Sequence, residues 1–463
     1  MRILVGIPNY GTKNRPFLDR VLAGFDAMPH DVHVVVNTEA PRDYPAGVEN
    51  IVGLPTENPR SLPFAHRTLF AERIDEHDLF VYVEDDTLVE TRHVDMFLAA
   101  TELLPDTDVA GFLRFERYND RDRSICSVHS SYRWDPSSVV AHGGERFAHF
   151  TNLHAACYML TQDQLRRCID SGGYLVEPHA GRYQMLESAA TDPYVQCGLR
   201  KMIAVDRFED TLLHHLPELY LGRLGEREER MRRGVEALDP AGDTRSAFDP
   251  DASLPTFLWD LDLYLRLPGP ALDLVDGTHR RVLTIGGAGG RAEQQLLERG
   301  AHITSIPLDA VLGAQLAADG VSVTAPDLDE GLAAIADDEF DLVVLTDTLA
   351  FVPDPSDVVR RAAARLHPNG AVVAVHRSGA FEGLRDSIAA KRIRRPENWT
   401  HREHGRWPAT AGWLRATLAA AGLDVEIRGT GEGDQSSPAE RLVPKRLQPA
   451  LLPFTLGIGR PRS

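Results

Sequence analysis

"FVYVEDDTLV", residues 80–89, sets four β-favouring residues directly against three consecutive carboxylates, Glu84, Asp85 and Asp86. The apolar half reads as the end of a buried strand and the acids as the start of the following loop. Left unpaired, three such charges lose stability through raised pKa values or lost solvation. The stretch therefore implies a cation at that strand end. Carboxylate oxygens with open positions beside them suit Mg2+ or Mn2+ gripping a diphosphate, whose charge the ion neutralises as it leaves. The plainer alternative is an exposed strand end whose aspartates cap the next helix.

Working outward, "RILVGI" (2–7), a helical pattern near 17–28, "DVHVVVN" (31–37), a second near 64–74, and "DLFVYV" (78–83) alternate regularly. That rhythm predicts βαβ units and a mostly parallel sheet. Ligands of such sheets sit at the carboxyl ends of the strands. Pro8, Asn9 and Tyr10, then Asn37, Thr38 and Glu39, and then the acidic triplet should share one rim.

The whole chain bounds the problem. Its 463 residues suggest two domains, and 43% hydrophobic with 25% charged residues is a globular composition. A net charge of −18 argues against nucleic acid or anionic lipid as partner. The four cysteines, Cys126, Cys157, Cys168 and Cys197, are scattered and read as reduced thiols of a cytoplasmic protein. The chain opens on a strand rather than an apolar signal segment, and no run of roughly 18 apolar residues suggests a membrane span.

A polar helix near 226–238 and the loose "DPAGDTRSAFDPDASLP" (239–255) mark the best boundary. The expected division is 1–240, a linker with a short apolar helix near 258–267 spanning 241–270, and 271–463. In the last part "RVLTIGGAGG" (281–290), "AHITSI" (301–306), "FDLVVLTD" (340–347) and "HPNGAVVAVH" (367–376) restart the α/β pattern.

"DLFVYVEDDTLV" resembles the strand and acidic motif of glycosyltransferases with the GT-A fold, in an acid-x-acid variant beginning with Glu84. "VGIPNYGTKNRPFLDRVLAGF" (5–25) resembles their first strand and helix. The resemblance covers roughly 1–225 and implies a Rossmann-like domain that transfers a sugar from a UDP- or GDP-sugar to an acceptor hydroxyl. It implies donor contacts from Pro8, Asn9, Tyr10, Asn37, Glu39, Glu84 and Asp85, with a basic contact from His66 and Arg67 in "LPFAHRTLFAERI". In "FAHFTNLHAACYML" it puts Asn152, His154 and Ala155 near the sugar. In "QMLESAATDPYVQCGLRKM" it makes Asp192 or Glu187 the general base that takes the acceptor's proton. Metal ligands would be Asp86, Glu84 and one of His214 and His215, because neighbours on an extended segment point opposite ways. Taken singly, each has a plain structural reading: Arg67 a solvated charge, Asp192 a helix N-cap, the histidines surface or core.

"FDLVVLTDTLAFVPDPSDVVRRAAARLHPNGAVVAV" (340–375) resembles the fourth strand, helix and fifth strand of class I S-adenosylmethionine-dependent methyltransferases, and "TAGWLRATLAAAGLDVEIRG" (410–429) their closing helix and strand. The resemblance covers roughly 270–460 and implies S-adenosylmethionine at Gly286, Gly287 and Gly289, with Asp327 meeting the adenine amino group. The sequence departs where cofactor binds. Thr284 replaces an acid, Ala288 a glycine, and Pro307 the acid that holds the ribose, with Asp309 the nearest substitute. Losing that carboxylate costs about 1.5–3 kcal/mol, roughly one to two decades of affinity. A dinucleotide oxidoreductase fits less well, because its glycine spacing differs.

These readings combine into a metal-dependent glycosyltransferase acting on a glycan, lipid-linked sugar or secondary metabolite, with an appended methyltransferase-like domain that makes it bifunctional if active. The alternative is a methyltransferase of a sugar or small molecule whose first domain binds the substrate. A third is a scaffold with neither activity, against which the retained acids weigh.

Overall fold

The computed structural model describes the chain apart from residues 120–121, 126–132, 181–182, 222–225, 248–266, 268, 275–279, 288–289, 337–338, 347, 381–406, 408, 432–443, 446, 453 and 463. Cys126, Ala288, Gly289 and most of the short helix expected near 258–267 lie outside the described residues. Two compact units result, Met1–His129 with Ser138–Val235, and Ser130–Ser137 with Glu236–Ser463.

The first unit holds strands β1 (Arg2–Asn9), β2 (Asp31–Thr38), β3 (Val48–Val52), β4 (Leu79–Val83), β5 (Thr87–Leu88), β6 (Asp108–Ala110), β7 (Leu113–Arg117), β8 (Arg123–Ile125), β9 (Val140–His142), β10 (Glu145–Ala148), β11 (Cys157–Thr161), β12 (Arg200–Ala204), β13 (Leu212–His215) and β14 (Glu226–Arg227). Its main sheet has the order β11-β4-β1-β2-β3. β3, β2, β1 and β4 run parallel, and β11 lies antiparallel on β4. All five residues of β4 are buried, as continuous apolar strands of a parallel sheet covered on both faces should be. Two smaller sheets, β6-β12-β10-β9 and β14-β8-β7-β13-β5, complete the unit.

Helix Arg15–Asp26 follows β1. A proline in its first turn suits a helix start, and Leu18, Val21, Leu22 and Phe25 bury one stripe against the sheet. Helix Met185–Val195 continues through Pro193, which has no N–H for the Ala189 carbonyl four residues back. Arg67 supplies the missing donor, its Nη2 lying 3.3 Å from that oxygen.

The second unit carries one seven-stranded sheet of β15 (Arg281–Gly287), β16 (His302–Pro307), β17 (Ser322–Val323), β18 (Phe340–Thr346), β19 (Leu366–Arg377), β20 (Leu423–Thr430) and β21 (Phe454–Pro461). The order is β17-β16-β15-β18-β19-β21-β20. The first five strands are parallel and β21 runs antiparallel to both its neighbours. This is a Rossmann-like α/β sheet with helices Arg291–Glu298, Ala310–Ala318 and Pro355–Ala363 between its parallel strands. Among the described residues no helix is long and apolar enough to cross a membrane.

Candidate functional site

The carboxyl ends of β1 and β4 open into a cleft of about 280 Å³, lined by Pro8, Tyr10, Asn14, Glu84, Asp85, Asp86, Arg114, His154, Glu187 and Tyr220, with Pro59, Leu62, Pro63 and Leu186. The floor is the acidic triplet. Asp85 accepts from the Asn9 amide at 2.6 Å and from the Asn14 amide at 2.8 Å. Burial, and after it the charge of Asp86, push the Asp85 carboxyl up to about 7 against the lowering effect of those two amides.

Asn9 is itself fixed by the end of the second strand. Arg42 donates to the Asn9 carbonyl at 2.9 Å and is paired with Glu39, whose Oε1 also accepts the Gly11 N–H at 3.1 Å. Tyr44 donates to Asn9 Oδ1 at 3.2 Å. Glu39 thus reaches the floor through Arg42 and Asn9 rather than by facing the cleft.

Asp86 and Glu84 face different partners. His215 Nε2 stands 3.5 Å from Asp86 Oδ2, and its Nδ1 lies 2.5 Å from Glu116 Oε1. Burial disfavours a charged imidazole there, but the hydrogen bonds to Asp86 and Glu116 outweigh it and raise His215 above 6.5. Glu116 also accepts the Tyr220 N–H at 2.8 Å. On the other side Glu84 Oε1 meets His154 Nε2 at 3.2 Å, with Arg114 3.8 Å from Oε2. Burial, aided by Arg114 and Lys201, holds His154 well below 6.5, so the ring is neutral beside Glu84.

His214, next to His215 on β13, turns the other way, stacks on Phe115 at 4.9 Å and lies 3.4 Å from Glu218. It takes no part in the cleft. Among the described residues no three His, Cys, Asp or Glu side chains gather in a way that could hold a metal ion. The donor set expected from the sequence, Asp86, Glu84 and a histidine, is divided between separate hydrogen-bonding partners. The manganese or magnesium site drawn from the triplet therefore has no support in this geometry.

The two candidate bases separate. Glu187, in the first turn of its helix, lines the cleft, and burial raises its carboxyl pKa. Asp192 is 1% exposed and is neither a cleft residue nor an N-cap. It forms a buried ion pair with Arg67 at 2.7 Å, and His179 stands 3.5 Å away. Arg67 also donates to the Tyr174 and Ser188 carbonyls, so it ties helix Ala65–Glu72 to helix Met185–Val195 and is buried rather than a solvated charge. His66 is a core residue between the Pro63 carbonyl and the Tyr158 hydroxyl, each 2.5 Å away. Asn37 borders a different cavity of about 460 Å³ together with Phe64, Arg67, Thr68 and Glu177.

Asn152 and Ala155 are buried beside His154, and Asn152 Oδ1 accepts the His154 N–H at 3.0 Å. Sequence reasoning missed Asn14, Arg114, Glu116 and Tyr220. Only Asn14 carried a signal, as a polar residue directly before a helix start.

In the second unit, Gly286 has φ +75°, and a Cβ there would lie 2.7 Å from Thr348 Oγ1, so a side chain of this protein already fills the space beside the turn. Gly287 closes β15, and Gly290, at φ +66°, starts helix Arg291–Glu298. The ribose clamp does not fit. Thr284 donates to Ser305 Oγ at 2.9 Å, Pro307 offers no acceptor, and Asp309 is 1% exposed. Asp309 caps the following helix through Leu312 N–H at 2.9 Å and is paired with Arg133 at 2.5 Å. Asp327 caps helix Leu328–Ala334 through the N–H groups of Asp329 and Glu330.

Residues 226–426 match the family model described as a methyltransferase domain. The ubiquinone biosynthesis O-methyltransferase of Stutzerimonas stutzeri (strain A1501) is 34% identical over 102 residues, 20% of this chain and 42% of that protein. Its counterpart in Idiomarina loihiensis is 30% identical over 161 residues, 32% of this chain and 64% of that protein. The chain thus spans less than two thirds of the length of these curated relatives. A TehB-like S-adenosylmethionine-dependent methyltransferase from Corynebacterium glutamicum aligns at 15% identity and a TM-score of 0.29, over 42% of this chain and 86% of that one. The family match begins at residue 226 and reaches only the last residues of the first unit, so glycosyl transfer has no support among these relatives. The C-terminal part of the chain is thus a Rossmann-like α/β unit whose sequence is similar to a methyltransferase domain.

Proposed function

We propose that this chain is an S-adenosylmethionine-dependent methyltransferase of a small molecule, and that its first unit binds the substrate in the acid-floored cleft. The match of residues 226–426 to a methyltransferase domain supports this reading most directly. The named activity of the relatives, O-methylation, suggests a hydroxyl as the accepting group. The glycine turn after β15 would hold the cofactor through backbone N–H groups, and the cofactor, when bound, supplies the electrophilic methyl group. The chain's own part is to bind and orient. Calorimetric titration of the full chain with S-adenosylhomocysteine tests the reading, and absence of binding at millimolar ligand would overturn it.

One observation favours a second reading, sugar transfer in the first unit. Three acids close a strand of a parallel sheet, two of them held by the amides of Asn9 and Asn14, and Glu187 lines the same cleft. In that reading Glu187 takes the acceptor's proton, because it lines the cleft and its raised pKa brings it nearer the range of a general base. Thermal shift with UDP or GDP, with and without Mn2+, decides the matter, since a ligand of the folded state stabilises it by mass action. Stabilisation by S-adenosylhomocysteine alone leaves only the first reading.

A further inference from the structure

Lys201, on β12, is 1% exposed, and its ammonium donates to two backbone carbonyls, Asn152 at 3.1 Å and Leu153 at 3.3 Å. Room for it is made by Gly111, where a Cβ would lie 2.4 Å from Lys201 Cγ. A fully buried ammonium held by carbonyls alone is an expensive way to fix a loop, because burial disfavours the charged form.

The loop it fixes leads straight to the cleft. Lys201 holds the segment at two points, since its own carbonyl accepts from His149 Nδ1 at 2.9 Å while its ammonium takes the carbonyls of Asn152 and Leu153. The Asn152 side chain then accepts the His154 N–H, and His154 Nε2 meets Glu84. Just beyond, Ala156 adopts φ +57° and its carbonyl accepts the Glu84 N–H at 2.9 Å. Every link from Lys201 to the acidic floor is therefore a hydrogen bond.

We propose that Lys201 is a positioning residue of the cleft, whose ammonium sets the place of His154 against Glu84 through the 149–156 segment. The cleft as a binding site belongs to the reading above; the strut does not depend on which ligand enters. Supporting it, burial brings the Lys201 ammonium down to about 7, with the Cys157 thiol of β11 acting in the opposite direction. Facing His154 are Glu84 at the end of β4, Arg114 of β7, Lys201, His215 of β13 and Asp86. Raising the pH through 7 therefore discharges the strut while His154 itself stays neutral, so the imidazole reports the lysine without titrating.

The test is histidine NMR on the full chain labelled at the Cε1 position, with the His154 signal assigned by its loss in His154→Gln. The expected result is an inflection of that signal near pH 7 in the wild type, absent in Lys201→Met, where the signal is also displaced at low pH while those of His30 and His33 stay put. Asp85 titrates in the same range and His215, which also acts on His154, is raised above its ordinary value, so Asp85→Asn and His215→Gln provide the controls and each should keep the inflection. If Lys201→Met fails to fold, these two variants decide together. An inflection that vanishes in Asp85→Asn or in His215→Gln, or a His154 signal unmoved by Lys201→Met, overturns the proposal. Because the imidazole is read directly, failure to find a cleft ligand leaves this result standing.

Discussion

The Asn14 amide donates to both Asp85, at 2.8 Å, and Asp86, at 3.3 Å, although Asn14 occupies the N-cap of helix Arg15–Asp26 and makes no cap bond there. A residue type suited to ending a helix is used to hold two carboxylates in register. Asn14→Ala should cost about 1–3 kcal/mol, the range for leaving a buried acceptor without its donor. Asn14→Asp should cost more at neutral pH, because it adds a fourth acid to the floor. Urea unfolding of the two variants at pH 7 measures this, and equal stability for all three proteins would remove Asn14 from the acid-holding role.

Asp85 gives a pH signature with a definite sign. Its folded pKa, about 7, lies above the ordinary carboxylate value, so between roughly pH 4 and 7 the folded state binds more protons than the unfolded. The contribution of Asp85 is therefore fully present at low pH and is lost as the pH rises to 7. Wild-type stability measured relative to Asp85→Asn should fall across that window and be level above it. A difference that rises with pH would mean the carboxylate is stabilised by a cation in the folded protein.

The Arg67–Asp192 pair stabilises the first unit away from the cleft. Breaking a buried pair from one side typically costs about 3–5 kcal/mol, because the remaining charge stays buried alone. Arg67→Met and Asp192→Asn should each lower stability strongly, and the double variant should cost clearly less than the two single costs added together. Any ligand found for the cleft should bind the folded variants with unchanged affinity. Loss of affinity in Asp192→Asn at retained stability would return Asp192 to the site.

Much of the frame was legible because buried parallel strands write themselves as unbroken apolar runs. β1, β2 and β4 show this, and the acids that end β4 do form the floor of a cleft. Which polar residues turn inward was not legible. His66 and Arg67 sit on a helix whose other buried residues are Leu69 and Phe70, and that spacing places all four on one inward face. Arg114 and Lys201 stand in short strands where an alternating pattern would put a charge in solvent, yet both are buried. The last strand, "FTLGIGRP", escaped for another reason. A Cβ on Gly457 would lie 2.8 Å from Leu418 Cδ1, so the strand gives up β-favouring side chains to admit helix Ala411–Ala420.

The methyltransferase domain should bind its cofactor weakly, and Asp309 should be irrelevant to that binding. Its carboxylate is committed to the N–H groups of Val311 and Leu312 and to Arg133, and it is almost wholly buried. A ribose diol reaching it would have to displace a charged partner. Asp309→Asn is therefore expected to lower thermal stability while leaving the calorimetric affinity for S-adenosylhomocysteine within twofold. Because positions 284 and 307 carry Thr and Pro, wild-type affinity should fall roughly one to two decades short of a domain with an acid on the ribose. A tenfold loss of affinity in Asp309→Asn would show that the Arg133 pair opens to admit the cofactor, and would make Asp309 the missing ribose ligand.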